Sequence, residues 1–267
     1  MSLCPLSEAP GAHLAAVHTV LTDIDDTLTS DGRLTAEAYD AVERLTEAGL
    51  RVIPLTGRPA GWCDMIARFW PVAGIVGENG ALAFHYDHAG RRMTRLYAKS
   101  EAERASDRAR LDQLAPRILS AVPGAAIAAD QAYRIADLAI DFREDVPPLD
   151  KTSIARIVTM FEAEGATAKV SSIHVNGWFG AYDKLSMTRR FLAEQFGLDL
   201  EKEKDRVLFI GDSPNDEPLF AALPLTAGVA NIMEFAETLR AKPAYVTEAR
   251  GGKGFAQMAK ALIASKR

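Results

Sequence analysis

Short apolar runs alternate with amphipathic segments at both ends of the chain. The apolar runs predict buried strands at 17–21, 50–55, 72–76, 206–210, 226–230 and 244–247. Apolar positions at helical spacing predict helices at 35–48, 59–70, 187–196, 217–222, 232–240 and 254–265. Strand–helix–strand alternation is typical of a parallel sheet with helical crossovers. We therefore predict an α/β fold whose Rossmann-like core is built from both ends of the chain.

The middle of the chain has a different pattern. The apolar runs 81–85 and 93–98 flank the turn signal Asp87-His88-Ala89-Gly90 and predict a hairpin. A charged segment at 99–110 is followed by a predicted helix at 111–122, strands at 134–142 and 166–175, and a helix at 153–164. We therefore predict two domains, a core made of 1–84 and 183–267 and an inserted α+β domain at 85–182.

Composition narrows the class of protein. The 267 residues include 31 Lys and Arg and 36 Asp and Glu, which gives a net charge of −5, and 48% are hydrophobic, as in globular chains. A negative chain without a long basic run predicts no nucleic-acid partner, and no apolar run reaches the roughly 20 residues of a membrane helix. The two cysteines, Cys4 and Cys63, lack metal-site spacing. They favour reduced thiols in a cytoplasmic protein, with one disulfide as the alternative.

The first cluster of chemistry-bearing residues is Asp23-Ile24-Asp25-Asp26-Thr27-Leu28, directly after the first predicted strand. Three carboxylates this close repel one another and are best tolerated around a cation or through a shared proton. A hard cation such as Mg²⁺ prefers oxygen ligands. Asp23 could attack a phosphoryl group while Asp25 handles the proton of the leaving group. The alternative is turn capping by Asp and Thr.

The second cluster is Thr56-Gly57-Arg58-Pro59, which follows the second predicted strand. Gly57 allows the backbone to approach a ligand, and Pro59 suits the start of a helix. The Thr56 hydroxyl and free N–H groups then form an anion site at a helix N-terminus. The alternative is an ordinary strand-to-helix turn in which Thr56 is the capping group.

The third cluster, Gly211-Asp212-Ser213-Pro214-Asn215-Asp216, again follows an apolar strand. Asp212 and Asp216 can complete a magnesium site, and Asn215 can bind a phosphate oxygen; the alternative is a simple turn. Lys184 can act as a point charge beside a phosphate, although most lysines are solvated surface residues. Ligands bind at the carboxyl ends of parallel strands, so these motifs are expected to meet there.

In this order, the motifs resemble those of the haloacid dehalogenase superfamily of phosphohydrolases. Asp23-x-Asp25-x-Thr27 is similar to its first motif, Thr56 to its second, Lys184 to its third, and Gly211-Asp212-x-x-Asn215-Asp216 to its fourth. The insertion, together with Glu78-Asn79-Gly80-Ala81, resembles the cap of subfamily IIB, the Cof-type group. That group includes sucrose-phosphate, trehalose-phosphate and mannosyl-3-phosphoglycerate phosphatases. Lys184-Leu185 departs from the Lys-Gly of many relatives.

The resemblance implies a mechanism. Asp23 is expected to form an aspartyl-phosphate, and Asp25 to protonate the leaving alcohol and then activate water. Mg²⁺ is expected to be held by Asp23, by the backbone carbonyl of Asp25 and by Asp212, with Asp216 supporting or joining these ligands. The phosphoryl oxygens are expected to be held by Thr56, Gly57, Lys184 and Asn215.

The expected function is a magnesium-dependent phosphatase acting on a small phosphorylated metabolite, a sugar phosphate. Two alternatives remain at this stage, a phosphomutase of the same fold and a phospho-accepting signalling module. Asp25 and the large insertion argue against the signalling module, because a second acid two residues on speeds hydrolysis. Nothing in the sequence specifies an oligomeric state.

The predicted insertion carries four candidate substrate contacts, Arg134, His174, Asn176 and Trp178. A strand-like alternation at 172–176 puts His174 and Asn176 on one face. Their alternative role is structural, with Trp178 packed between the two domains and His174 simply hydrogen-bonded there. His85 and His88 could form a metal pair, against the simpler interpretation as hairpin residues.

Overall fold

The computed structural model describes residues 3–266. Its strands are β1 (Cys4–Pro5), β2 (Thr19–Thr22), β3 (Thr29–Ser30), β4 (Arg33–Leu34), β5 (Arg51–Pro54), β6 (Ile75–Gly77), β7 (Leu82–Asp87), β8 (Arg92–Tyr97), β9 (Ala126–Ile127), β10 (Leu138–Asp141), β11 (Thr167–Val170), β12 (His174–Trp178), β13 (Val207–Gly211), β14 (Thr226–Gly228) and β15 (Tyr245–Val246). Its α-helices are α1 (Gly11–Ala16), α2 (Ala36–Glu47), α3 (Ala60–Phe69), α4 (Glu101–Ala121), α5 (Lys151–Ala163), α6 (Lys184–Phe196), α7 (Leu200–Glu203), α8 (Glu217–Ala222) and α9 (Gly251–Ser265).

The central sheet has the strand order β1-β15-β14-β13-β2-β5, and every neighbouring pair is parallel. The predicted α/β class is therefore confirmed. β2 and β13 lie side by side in a register that pairs Thr22 with Ile210. The residues that follow these two strands consequently leave the sheet at the same edge, although they are far apart in sequence.

Both faces of the central sheet are buried, as the continuous apolar runs predict. Alternate residues of each strand point to opposite faces, so Val20 and Leu208 pack on one side while Leu21 and Phe209 pack on the other. Helices α2, α3 and α9 cover the first face, and α6 and α8 cover the second. This packing fixes the strand ends on which the candidate site is built.

A second, antiparallel sheet with the order β11-β12-β10-β9 is formed by the middle of the chain. Helices α4 and α5 cover one face of this sheet around Ile118, Ile157 and Phe161, and Val175 of β12 faces them. Since side chains alternate along a strand, His174, Asn176 and Trp178 share the opposite face. The predicted common face of His174 and Asn176 is thereby confirmed.

The predicted domain boundary at 84/85 falls inside β7. β6 joins the central sheet through a single parallel bridge between Leu55 and Val76, and then pairs antiparallel with β7. The reversal occurs at Glu78 and Asn79, which both adopt left-handed backbone conformations, with φ of 44° and 55°. The predicted hairpin β7–β8 thus continues directly from the core and is counted with it. We call the remaining inserted residues, 98–182, the inserted unit.

Several local predictions are wrong. Helix α4 begins at Glu101 within the predicted charged segment, because Ser100 and Glu103 form a capping box. The predicted helix at 232–240 is a 3₁₀ turn at Ala230–Phe235. The predicted strand at 166–175 is two antiparallel strands, β11 and β12. The predicted strand at 134–142 begins only at Leu138.

No element is predicted before residue 17, yet β1 pairs with β15 at the edge of the central sheet. Cys4 and Cys63 are both free thiols, so the alternative of one disulfide is wrong. Between residues 3 and 266, none of the helices is both long and apolar enough to span a membrane.

Candidate active site

Three buried carboxylates meet at the edge of the sheet where β2 and β13 end. Asp23 follows β2, Asp212 follows β13, and Asp216 ends the 3₁₀ turn Pro214–Asp216. Their ligand atoms all lie within 4.8 Å of one another. Within the described residues 3–266, this is the one cluster of three His, Cys, Asp or Glu side chains with such spacing. An all-oxygen donor set of this kind suits a hard cation such as Mg²⁺.

The cluster is electrostatically unfavourable without a cation. Burial raises the pKa of Asp23 to about 7; Lys184 opposes this rise, and the neighbouring Asp216 and Asp25 add to it. Burial likewise raises the pKa of Asp212 well above its usual range, with contributions from Asp216 and Asp23. Both shifts have the cause expected of like charges held in a space that excludes water.

Lys184 is the one basic side chain against this cluster among the described contacts. It is the first residue of α6, whose N-cap Asp183 accepts a hydrogen bond from the Ser186 N–H at 2.7 Å. The Lys184 ammonium lies 2.6 Å from Asp23 Oδ1 and 3.3 Å from Asp216 Oδ1, and its side chain is 7% exposed. The interpretation of Lys184 as a solvated surface residue is therefore wrong.

Local backbone contacts shape the loop after β13. Asp216 Oδ2 accepts hydrogen bonds from the N–H groups of Asp212 at 3.0 Å and Ser213 at 3.3 Å. A Cβ at Gly211 would collide with the same Asp216 carboxylate, so glycine is required there. The Thr27 hydroxyl donates to Asp212 Oδ1 at 3.2 Å, which ties the loop after β2 to the loop after β13.

Asp25 lies outside the three-carboxylate cluster and is held by Arg58. Arg58 Nη2 donates to Asp25 Oδ1 at 2.8 Å, and Nε donates to the two carboxylate oxygens at 3.0 and 3.2 Å. Burial lowers the pKa of Arg58, but Asp25 and Glu144 more than offset this, so Arg58 stays charged. Sequence reasoning gave Arg58 no role; its place beside Thr56 and Gly57 was the available signal.

In the turn after β5, Thr56 and Gly57 have different positions relative to the candidate site. The Thr56 hydroxyl accepts a hydrogen bond from the Arg58 N–H at 3.0 Å, so it closes the turn after β5 but does not cap α3. Gly57 lies in the wall of the cleft described next, beside Asn79. Pro59 is the N-cap of α3.

A narrow cleft separates the strand-end edge of the central sheet from the inserted unit. Its walls include Asp23, Asp25, Gly57, Arg58, Asn79, Lys184, Asp212 and Asn215 from the core, and Arg134, Ser171, Ser172, His174 and Asn176 from the inserted unit. Nine of these wall residues are predicted from the sequence: Asp23, Asp25, Gly57, Lys184, Asp212, Asn215, Arg134, His174 and Asn176. Three further predicted residues, Thr56, Asp216 and Trp178, lie behind the cleft wall.

Two of the candidate contacts in the inserted unit are engaged in an ionic network. The buried Arg134 donates to both oxygens of Asp130 at 2.9 and 3.0 Å and to Asp137 at 3.1 Å. It also donates to the backbone carbonyl of Gly57 at 2.9 Å. Asn176 donates to Asp137 at 2.8 Å. The network links the inserted unit to the turn that carries Gly57.

The other two candidates have different surroundings. Trp178 is 1% exposed and stacks on Tyr182 with ring centroids 5.8 Å apart, so it has a packing role, here with a partner inside the inserted unit. His174 is buried, and its Nε2 lies 2.9 Å from a carboxylate oxygen of Glu144. His85 and His88 form no metal pair: His85 Nδ1 contacts the Ala73 carbonyl at 2.7 Å, and His88 lies against the Tyr86 ring.

Glu78 joins the core to the inserted unit. Its fully buried carboxylate accepts hydrogen bonds from the Ala60 N–H at 2.9 Å, within the core, and from the Ile135 N–H at 3.0 Å and the Ala136 N–H at 2.7 Å. The predicted strand at 134–142 begins late because residues 135–137 turn around this carboxylate. The motif Glu78-Asn79-Gly80-Ala81 marks this position in the sequence, but its pattern does not predict this role for Glu78.

Comparison with known sequences supports the resemblance. Residues 20–116 match the family model of the haloacid dehalogenase-like hydrolases. The match contains Asp23-x-Asp25-x-Thr27 and the Thr56 motif, so the predicted resemblance is confirmed. No curated protein matches the chain significantly in sequence.

Solved structures share the fold over more than nine-tenths of the chain. A Thermoplasma acidophilum protein is 19% identical with a TM-score of 0.69, covering 92% of this chain and 98% of the relative. A protein described as a HAD/COF-like hydrolase from Plasmodium vivax is 19% identical with a TM-score of 0.66, covering 94% and 96%. The sucrose-phosphatase of Synechocystis sp., solved with sucrose and phosphate, is 13% identical with a TM-score of 0.63, covering 91% and 97%.

Proposed function

We propose that this protein is a magnesium-dependent phosphatase that hydrolyses the monophosphate of a small neutral sugar or polyol through an aspartyl-phosphate on Asp23. The observation that carries the proposal is the buried Asp23 carboxylate. It lies 2.6 Å from the Lys184 ammonium and within the three-carboxylate cluster, and Asp25 stands two residues further on. The proposal includes a cytoplasmic location, which the free thiols of Cys4 and Cys63 support.

The donor set fits Mg²⁺. Three carboxylates face one lysine, and burial and mutual repulsion raise the pKa of Asp23 to about 7, a cost that a divalent cation would remove. Asp23, Asp212 and the backbone carbonyl of Asp25 would hold the ion, with Asp216 supporting them. When bound, Mg²⁺ would neutralise the charge of the phosphoryl oxygens and reduce their repulsion from Asp23.

The protein groups have distinct roles in the proposed reaction. A carboxylate oxygen of Asp23 attacks phosphorus, the bond from phosphorus to the alcohol oxygen breaks, and Asp25 gives that oxygen a proton. Asp25 then takes a proton from the water that attacks the aspartyl-phosphate, which releases phosphate and restores Asp23. Lys184, Asn215 and the Gly57 N–H orient the phosphoryl oxygens, with Thr56 fixing the turn.

The far side of the cleft favours a neutral leaving group. Both arginines in its wall are already paired: Arg58 with Asp25 and Glu144 at 2.8 and 3.0 Å, and Arg134 with two aspartates of the inserted unit. The remaining groups there are hydroxyls, amides, one isoleucine and His174. An anionic leaving group would therefore find no unpaired cation among the described wall residues. The Synechocystis sucrose-phosphatase, which has this fold, is a precedent for a sugar substrate.

The test is phosphate release from neutral hexose, pentose and glycerol monophosphates. Phosphoglycerate, sugar bisphosphates and nucleotides provide the anionic comparison, and p-nitrophenyl phosphate provides a generic substrate. Each is assayed with Mg²⁺, with EDTA and with Asp23→Asn; the exposed Asp205→Asn is the matched control. We expect Mg²⁺-dependent release that is lost in Asp23→Asn, retained in Asp205→Asn and greatest for a neutral monophosphate.

Two outcomes contradict the proposal. Release that persists in Asp23→Asn excludes Asp23 as the nucleophile. Transfer of phosphate between positions of a sugar, with a bisphosphate activator and no net release, favours the phosphomutase.

A further inference from the structure

One carboxylate of the inserted unit reaches the acid pair of the core. Glu144 lies in the loop after β10, and its Oε1 is 3.0 Å from Arg58 Nη2. Its Oε2 is 2.9 Å from His174 Nε2 on β12. Glu144 therefore connects a residue of the antiparallel sheet to the arginine that holds Asp25.

The loop that carries Glu144 is held in place by its own backbone. The buried Asp141 carboxylate, at the end of β10, accepts hydrogen bonds from the N–H groups of Arg143, Glu144 and Asp145, each at 2.8 Å. Three charge-assisted bonds to consecutive N–H groups fix the loop conformation. Glu144 thus has a defined direction although its side chain is 31% exposed.

The charges around Glu144 favour its ionised form. The adjacent His174 imidazole lowers the pKa of Glu144 to about 2, partial burial opposes this, and Arg58 adds to the lowering. Glu144 is accordingly a carboxylate at neutral pH, and it forms an ion pair with the Arg58 guanidinium, with Oε1 3.0 Å from Nη2.

Arg58 is one of the residues that connect the core to the inserted unit, alongside Glu78 and Arg134. Its side chain is 8% exposed, and its planar guanidinium contacts Asp25 from the core and Glu144 from the inserted unit, while Asp130 is 3.8 Å away. It also lies over the Trp62 ring at 4.6 Å. Because the planar guanidinium is bound by a carboxylate on each side, it restricts the Asp25 carboxylate to a narrow range of orientations.

We propose that Glu144 is a positioning residue: it fixes Arg58 from the inserted unit, so that Arg58 holds Asp25 in the orientation needed to protonate the leaving alcohol. Proton transfer then depends on the inserted unit lying against the core. This inference rests on the proposed function. It assigns Glu144 no contact with the substrate.

The kinetic test distinguishes a specific loss of proton transfer from a general loss of activity caused by a disturbed structure. An alkoxide leaving group needs the proton from Asp25, whereas p-nitrophenolate leaves without one. We expect Glu144→Gln to lower kcat/KM about 10- to 30-fold for the best sugar or polyol phosphate, and less than about threefold for p-nitrophenyl phosphate. Glu144→Asp should restore part of the loss, and Glu162→Gln, which removes an exposed charge on α5, should change neither value.

A double-mutant cycle tests whether Glu144 acts through Arg58. In an Arg58→Gln background, Glu144→Gln should cause no further loss, because the intermediary is already missing. Additive losses, or equal losses with both classes of substrate, would overturn the inference.

A final measurement does not depend on activity. The Nε–H resonance of Arg58, identified by its absence in Arg58→Lys, should shift and broaden in Glu144→Gln and stay unchanged in Glu162→Gln. An unchanged Arg58 resonance in Glu144→Gln overturns the inference even when the wild-type protein releases no phosphate. Absence of release by itself contradicts only the proposed function.

Discussion

Asp212→Asn should make the metal-free protein more stable while abolishing its response to Mg²⁺. Asp212 is 5% exposed, and burial together with Asp216 and Asp23 raises its pKa well above the usual value of 3.8. Asparagine keeps an acceptor for the Thr27 hydroxyl, which donates to Asp212 Oδ1 at 3.2 Å, and removes the charge. The substitution therefore separates the electrostatic cost of the cluster from its hydrogen bonding.

The magnitude follows from linkage. A carboxyl with a raised pKa binds more protons in the folded state than in the unfolded state, so the stability of the wild type falls as pH rises above 3.8. Each pH unit above 3.8 can lower the free energy of unfolding by at most about 1.4 kcal/mol through this one carboxyl. The raised pKa of Asp212 can therefore cost the wild type up to about 2 kcal/mol at pH 5 and up to about 4 kcal/mol at pH 7. Coulomb repulsion gives a similar size, about 3 kcal/mol for two charges roughly 5 Å apart at an effective dielectric constant of about 20.

Urea unfolding in EDTA at pH 5 and pH 7 measures the difference in unfolding free energy between Asp212→Asn and the wild type. We expect Asp212→Asn to exceed the wild type by at least about 1 kcal/mol at pH 7 and by less at pH 5. The control Asp205→Asn should stay within about 0.5 kcal/mol of the wild type at both values. Saturating Mg²⁺ should stabilise the wild type and the control but not Asp212→Asn. An advantage of Asp212→Asn that shrinks from pH 5 to pH 7, or equal stabilisation by Mg²⁺, would refute the reasoning.

Three further outcomes are expected. Lys184→Met removes the cation between Asp23 and Asp216 and should lower kcat at least about 100-fold and the unfolding free energy by about 3 kcal/mol, measured by phosphate release and urea unfolding. The apparent Kd for Mg²⁺ should be about tenfold weaker at pH 6 than at pH 8, since protons compete for Asp23, whose pKa is about 7; a calorimetric Kd independent of pH would contradict this. Glu78→Gln replaces a carboxylate oxygen facing backbone N–H donors with an amide and should cost about 2–4 kcal/mol in urea unfolding, whereas Glu162→Gln should be neutral.

The residues of the site that could be predicted from the sequence are those placed by the local hydrophobic pattern and by the topology of the parallel sheet. Asp23 and Asp212 each follow an apolar run, and parallel strands bring their carboxyl ends to one edge. Lys184 stands at the start of a helix that follows the long insertion, and the fold returns it to the same edge. Its burial could not be inferred from composition, because a lone lysine in a sequence is most often solvated.

The parts that were missed depend on contacts between distant segments. Glu78 meets the Ala136 N–H, 58 residues further along the chain, and Arg58 meets Glu144 of the inserted unit. Hydrophobic periodicity assigns elements and faces, but it does not fix how a separate sheet lies against the core. The start of α4 within the charged residues 99–110 is also not predicted, because exposed polar positions show no apolar periodicity. The capping box at Ser100 was the available signal for this helix start.

The two ends of the cleft differ in their distribution of charge, and under the proposed function they would suit different parts of one substrate. At the phosphoryl end, three buried carboxylates face one lysine, a local excess of two negative charges that matches a divalent cation. At the other end, Arg58 and Arg134 are surrounded by four carboxylates, Asp25, Asp130, Asp137 and Glu144. Because these carboxylates neutralise both arginines of the cleft wall, a second anionic group on the substrate would find no net positive charge there. If the proposed function holds, repulsion at the leaving-group end would favour neutral over anionic phosphate esters, and removing Glu144 is expected to reduce that discrimination as well as the rate.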